Sequence, residues 1–197
     1  MEGSRMEYQN RNEANRAQTE QHIKDVFIDM FVEQGLDSIS VKALSERAHI
    51  SKTTFYKYFD DKYELLEVIE TDILDALTKI NLEIIPVDFK EALKQETIPG
   101  MTESARFIRK HKKIFKRLLD VNMNQHFVYH WKKNIKTEFL DKFRKDNLQS
   151  KDLEMNVEMI VSALVGLYTF WLFHRPRMSC EEFSRIAANM VLKYMYS

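Results

Sequence analysis

Only four Gly and three Pro stand in 197 residues, and that scarcity limits the possible folds more than any other feature. A sheet protein needs turn residues at short, regular intervals, whereas long helices joined by short links need few. The chain is therefore expected to be all-α. With 44% hydrophobic and 12% aromatic residues it can bury a sizeable core. The single cysteine, Cys180, excludes an internal disulfide and fits a reducing compartment. Residues 1–18 are polar and unlike a signal peptide. The longest apolar run, from Met159 to Phe173, reads as too short to span a bilayer and hence as a buried helix. The expectation is a cytoplasmic protein with no membrane contact.

The periodicity predicts about nine helices. Residues 1–18 lack an apolar stripe and read as a flexible arm or a ragged helical extension. Thr19 is then the expected cap of a helix carrying Ile23, Val26, Phe27, Met30 and Phe31 on one face, ended by Gly35 in the left-handed region. Ser40 caps a second, short helix with Val41, Leu44 and Ala48 inward. After a break at His49-Ile50, Ser51 caps a third helix, KTTFYKYF, burying Phe55 and Phe59. Asp60-Asp61 opens a fourth, whose pattern from Leu65 to Ile80 continues to about residue 85 and stops at Pro86. Further helices are expected at 88–97, 102–119, 124–146, 152–175 and 179–196, the last opened by a Ser179–Glu182 capping box.

The chemistry of the third helix points to a partner. Opposite Phe55 and Phe59 it presents Lys52, Thr53, Tyr56 and Lys57, with Thr54 at the edge. These side chains suit phosphates and base edges better than an ordinary solvated face does. Between Ile39 and Phe59 there are four basic residues and one acid, although residues 1–62 together are slightly acidic and the whole chain is neutral.

The stretch IKDVFIDMFVEQGLDSISVKALSERAHISKTTFYKYFDDKYELL closely resembles the N-terminal domain of TetR-family regulators. The resemblance implies a three-helix, helix-turn-helix DNA-binding domain over 19–62, after an arm at 1–18. It also implies a helical-bundle domain for ligand binding and dimerisation over 63–197. Residues 106–146 and 157–183 bear a fainter resemblance to regulators of the dihydroxyacetone-kinase type. Carried over by position, Ser40 and Lys42 match phosphate contacts, and Ser51, Lys52, Thr53 and Tyr56 match positions that enter the major groove. Tyr58 stands where the family often has a backbone-contacting His, and Lys62 matches a phosphate-binding Lys. One departure is His49, at a turn position where Gly is common; His tolerates the left-handed region better than most residues. The implied function is a repressor that binds a palindromic double-stranded operator as a dimer and is released by a small-molecule effector.

In the C-terminal part, residues 153–174 are apolar on nearly all sides, and such a helix is expected to be buried all round. Paired with 179–196, it is the expected homodimer interface. Phe107, Phe115, Met123, Phe127, Trp131, Tyr168 and Trp171 are the candidate lining of an effector pocket. Arg106 to Lys145 holds 13 Lys and Arg against 3 Asp and Glu. That block suits an anionic effector or, more simply, a solvated basic face. His126 and His130 have a metal-capable i, i+4 spacing without an evident third ligand, so no metal and no cofactor are expected.

Two other classes compete. An enzyme would have Cys180 as its best nucleophile, at a helix opening where its pKa can fall. No nucleophile elbow, phosphate loop or carboxylate pair accompanies it, so no catalytic residue is assigned. A helical adaptor would keep the fold and bind protein through the basic block instead of DNA.

Overall fold

The computed structural model describes residues 2–82, 98, 100–120, 125–145 and 152–196. Among them every regular element is an α-helix: α1 (Glu2–Gln34), α2 (Val41–Arg47), α3 (Lys52–Phe55), α4 (Lys62–Leu82), α5 (Met101–Lys110), α6 (Lys112–Leu118), α7 (Gln125–Lys145), α8 (Leu153–His174) and α9 (Cys180–Tyr196). The expected all-α class is what forms. Met123, Pro86 and the helix expected at 88–97 lie outside the described residues.

Three boundaries differ from expectation. Helix α1 begins at Glu2, so Thr19 caps nothing; its hydroxyl donates to the carbonyl of Asn15 within the helix, at 2.9 Å. Residues 4–18 contain no helix breaker and many good formers (Glu, Arg, Ala, Gln), so propensity carries the helix where no apolar face exists. The third helix is α-helical for only four residues and then tightens, with Lys57 N–H bonded to Thr54 and Tyr58 N–H to Phe55. Its Thr, Phe and Tyr residues are poor helix formers. The helix expected over 102–119 is broken at His111, with φ −100° and ψ 23°.

The chain divides into two compact units, residues 1–71 and 72–197, with α4 contributing to both. In the first, α1 packs on α2 and α2 on α3 around Ile23, Phe27, Phe31, Leu44, Phe55 and Leu65, all fully buried. In the second, α9 packs on α5 and α8, and α8 on α6 and α7. The α8–α9 turn is held at Met178, whose carbonyl accepts from Trp171 Nε1 at 3.2 Å and from the Arg109 guanidinium.

Helix α8 corrects the membrane argument. The apolar run is embedded in a 22-residue helix that is long and apolar enough to cross a bilayer by length and composition. Val157, Val161, Leu164 and Tyr168 are buried in the bundle, but Met155, Met159, Phe170 and Phe173 are exposed. Within one chain the helix is thus buried on one side, leaving the other for the expected homodimer interface.

Candidate nucleic-acid interface

The turn between α2 and α3 is built from three local devices. Ser40, in extended conformation, caps α2 by accepting the Ala43 N–H at 3.1 Å. At the other end His49 takes φ 53°, while its N–H bonds to Glu46 O at 3.2 Å and Ile50 N–H bonds to Ser45 O at 3.0 Å. This is a Schellman ending with His in place of Gly. Ser51 then caps α3, accepting the Thr54 N–H at 3.0 Å and lying 2.9 Å from the Thr54 hydroxyl. Helix α2 is tied to α1 by Arg47, which donates to both carboxylate oxygens of Glu33 at 2.6 and 2.8 Å, and by His22 Nε2, 3.1 Å from Ala48 O.

Phe55 and Phe59 are buried and anchor the third helix from beneath. Above them Ser51, Lys52, Thr53, Tyr56 and Lys57 are exposed, and Thr54 and Tyr58 are half-buried. Tyr56 leaves 54% of its surface in solvent while its ring meets Phe55 edge-on. Lys42 is exposed on α2, 4.0 Å from Glu46. Beyond the expected set, Arg16 of α1 lies over the Tyr58 ring at 5.8 Å. Arg16, Asn15, Thr19, Lys57 and Tyr58 line one groove. Sequence reasoning did not single out these α1 residues, because it began the capped helix at Thr19 and left residues 1–18 as either an arm or a helical extension.

Lys62 is placed differently from its neighbours. Its ammonium donates to Leu36 O and Ile39 O at 2.9 Å each, and reaches Asp37 O at 3.5 Å. Asp61 caps the same helix by accepting the N–H groups of Tyr63 and Glu64. Lys62 therefore grips the turn between α1 and α2, with all three of its donors engaged.

In the second unit the expected pocket residues are brought together, but mostly as core. Phe107, Phe115, Phe127, Trp131, Tyr168 and Trp171 form a continuous chain of ring contacts with centroids 5.5–6.5 Å apart. Of these only Trp131 and Tyr168 line the cavity beside them, whose volume is about 60 Å³. Its polar end is made by residues that the sequence reading did not single out: Asn81, Ser104, Glu138 and Lys142. Their signal lay in register: Glu138 and Lys142 continue the buried stripe of Trp131 and Ile135 along α7. Burial in this apolar setting raises the Glu138 carboxyl to about 7, against hydrogen bonds from Asn81 and Thr78 that hold it down.

The remaining candidates resolve simply. Cys180 is buried, and burial pushes its thiol above the ordinary value, the reverse of what a nucleophile at a helix opening requires. His126 and His130 have ring centroids 4.3 Å apart, but among the described residues no cluster of three metal-ligating side chains forms. From the basic block, Arg109, Lys112, Lys113 and Lys116 line a groove with Trp171, away from the cavity's lining.

Similarity to known proteins extends over both units. Residues 25–69 match the family described as bacterial regulatory proteins, tetR family. Residues 95–193, half of the chain, match the family described as transcriptional regulator C-terminal region. The HTH-type transcriptional regulator YxbF of Bacillus subtilis (strain 168) is 23% identical over 182 residues, covering 87% of this chain and 44% of YxbF. The chain spans less than half the length of the curated relatives it matches. A TetR-family regulator from Syntrophomonas wolfei superposes with a TM-score of 0.70 at 14% identity, over 92% of this chain and 96% of that one. The dihydroxyacetone kinase operon activator DhaS does so with a TM-score of 0.62 at 18% identity, over 90% and 96%. Family and fold are those of a regulator rather than an enzyme, and the chain belongs to the TetR family of bacterial transcriptional regulators.

Proposed function

We propose that this regulator is a repressor that binds a palindromic operator as a homodimer and is released by a small molecule held in the second unit. DNA reading is assigned to residues 19–62, effector binding and dimerisation to 63–197, and residues 1–18 form an extension of the reading unit. The observation that carries the proposal is the exposed face of Lys52, Thr53, Tyr56 and Lys57, set on a short helix that is rigidly capped and anchored by two buried Phe. Ser51, Lys52, Thr53 and Tyr56 would enter the major groove. Ser40, Lys42, Thr54, Lys57 and Tyr58 would meet the sugar-phosphate backbone. Lys62, already engaged with three carbonyls, would act behind them by fixing the α1–α2 turn.

A single short helix reads few base pairs, so affinity requires two copies on half-sites about 34–36 Å apart, or a multiple of that. The exposed apolar residues of α8 (Met155, Met159, Phe170, Phe173) and of α9 (Ile186, Tyr194) supply a surface for the second copy. Around Gly166 an added Cβ would meet nothing, leaving room for a close approach. Helix α4 contributes Lys62 to the reading unit and Asn81 to the cavity's polar end, so an effector that moves α4 would alter the spacing of the reading heads. The site of action would be the cytoplasm, where operator DNA lies.

The test is selection of bound duplexes from a random DNA library by the purified protein at fixed moderate salt. Enrichment of a palindrome with half-sites one or more turns apart supports the proposal. Recovery of unselected DNA by a dimer whose α3 variants bind equally well would overturn it and favour the adaptor reading.

A further inference from the structure

The cavity in the second unit has an unusual polar end. Ser104 Oγ donates to Asn81 Oδ1 at 3.0 Å, and Asn81 and Thr78 in turn hydrogen-bond the Glu138 carboxylate. The donors are thus turned inward along a relay that ends on Glu138. Its other oxygen, Oε1, is inaccessible to solvent and has no hydrogen-bond partner among the described residues. A buried carboxylate oxygen without a donor is costly, and native proteins leave few such groups. Ionised, above about pH 7, Glu138 gives the cavity an acceptor carrying negative charge. The walls around it are apolar and aromatic, with Trp131, Phe139, Tyr168, Leu77 and Ile108 among them. Aromatic faces accept a cation that has left water.

The charge balance narrows the ligand further. Lys142, one turn beyond Glu138, also lines the cavity and disfavours a ligand that carries two positive charges. An anion seated on Lys142 would share the cavity with a carboxylate oxygen that no donor screens among the described residues. The other cations of the basic block line a different groove.

We propose, resting on the effector reading above, that this cavity receives a lipophilic monocation, an amine whose ammonium group donates to Glu138 Oε1 and whose apolar body lies among the aromatic walls. Such a charge-assisted bond is roughly twice as strong as a neutral one, and it completes the side of the carboxylate that the described residues leave open.

The experiment uses the full chain and three probes with one skeleton: phenylbutylamine, phenylbutanol and phenylbutyrate. Binding is measured by titration calorimetry at about pH 8, where Glu138 is ionised. The amine should bind about tenfold or more tightly than the alcohol, and the carboxylate most weakly. Glu138→Gln should remove most of the amine's advantage over the alcohol, while Lys142→Met should tighten the amine. A second readout needs no variant. Near pH 7 the amine should displace a proton from Glu138, so its binding heat should vary with the buffer's ionisation enthalpy, and the alcohol's should not. The other groups around that carboxyl are Lys142, Tyr168 and the non-titrating Thr78, Asn81 and Ser104.

Equal or tighter binding of the alcohol or carboxylate, an amine preference that survives Glu138→Gln undiminished, or no amine binding at millimolar concentration would overturn the assignment. An amine that binds with the expected preference but leaves affinity for the selected duplex unchanged keeps this assignment and removes effector release. An alcohol or carboxylate that binds best and releases the duplex does the reverse.

Discussion

Replacing Lys62 with Met separates two roles that a lysine at this position can have. Met keeps most of the aliphatic stem and removes the ammonium, so the turn at residues 36–39 loses two bonds of 2.9 Å and a weaker one of 3.5 Å. A hydrogen bond to a charged group contributes about 1.5–3 kcal/mol. The two short bonds are only part-buried, so water takes over some of each when the ammonium goes. A net loss of about 2 kcal/mol follows, with Asp61 still capping α4 and the helix start unchanged. If the whole chain unfolds in one transition, each kcal/mol moves Tm by about 2–4 °C, and the expected drop is about 4–8 °C. The assay is calorimetric melting of the DNA-free protein, followed by titration of the selected duplex at several salt concentrations. A positioning role predicts the Tm drop with an unchanged slope of log K against log salt. A direct role on a phosphate predicts the opposite: Tm within about 1 °C of the parent and a slope shallower by about 0.9 for each phosphate no longer neutralised. That second pattern would refute the placement of Lys62 behind the interface.

Tyr56→Ala should lower affinity for the selected duplex by about 1–3 kcal/mol and leave Tm nearly unchanged, since the ring is exposed; parallel binding and melting curves check both. His49→Val should destabilise by about 1–2 kcal/mol, because a β-branched residue tolerates φ 53° poorly, while His49→Gly should be neutral or slightly stabilising by urea denaturation. Phe170→Glu should turn the dimer into a monomer by analytical ultracentrifugation, placing a charge on an apolar surface that the second copy would cover. Glu138 binds its proton more readily folded than unfolded, so its contribution should lower stability as pH rises from about 4.5 to about 7, by at most about 3 kcal/mol, and then stay level. His111, held below its ordinary pKa by burial, acts in the opposite direction; subtracting the urea midpoints of Glu138→Gln from those of the parent at each pH cancels it.

Much of the reading unit was legible because its determinants are local. A Ser that caps, a residue that turns left-handed and two Phe four apart each act within one turn of chain, and each stands at the expected position. The start of α1 was not legible, since residues 2–18 form helix without an apolar stripe and periodicity is silent there. The cavity was half legible. Aromatic residues in the second unit do converge, yet most of them touch one another, and which faces remain open depends on how α4, α5, α7 and α8 meet. The basic block read more simply as a solvated face than as an anion site, but charge counted along the chain does not say which side chains turn inward. Lys142 and Glu138 do so, and the four cations of the separate groove do not line the cavity.

His49 and Glu138 share a physical logic. Each breaks a rule that the surrounding structure otherwise keeps: a side chain where Gly fits best, and a charged oxygen without a partner among the described residues of an apolar wall. Each costs stability, and neither is needed to fold a helical bundle, because Gly at one position and Gln or Leu at the other would be easier to accommodate. Packing alone requires neither residue, so each can be tested for a function of its own. The exposed His49 imidazole lies on the turn that leads into α3, beside the face proposed to meet DNA. Protonation relieves the cost at Glu138 Oε1 below about pH 7, and above it a donor entering the cavity would do so instead. The two substitutions should then separate cleanly: His49→Gly alters affinity for the duplex without changing amine binding, and Glu138→Gln removes most of the amine preference without weakening the ligand-free protein's hold on DNA. Strong cross-effects in either direction would mean that these residues are strained for a common structural reason and not for two separate functions.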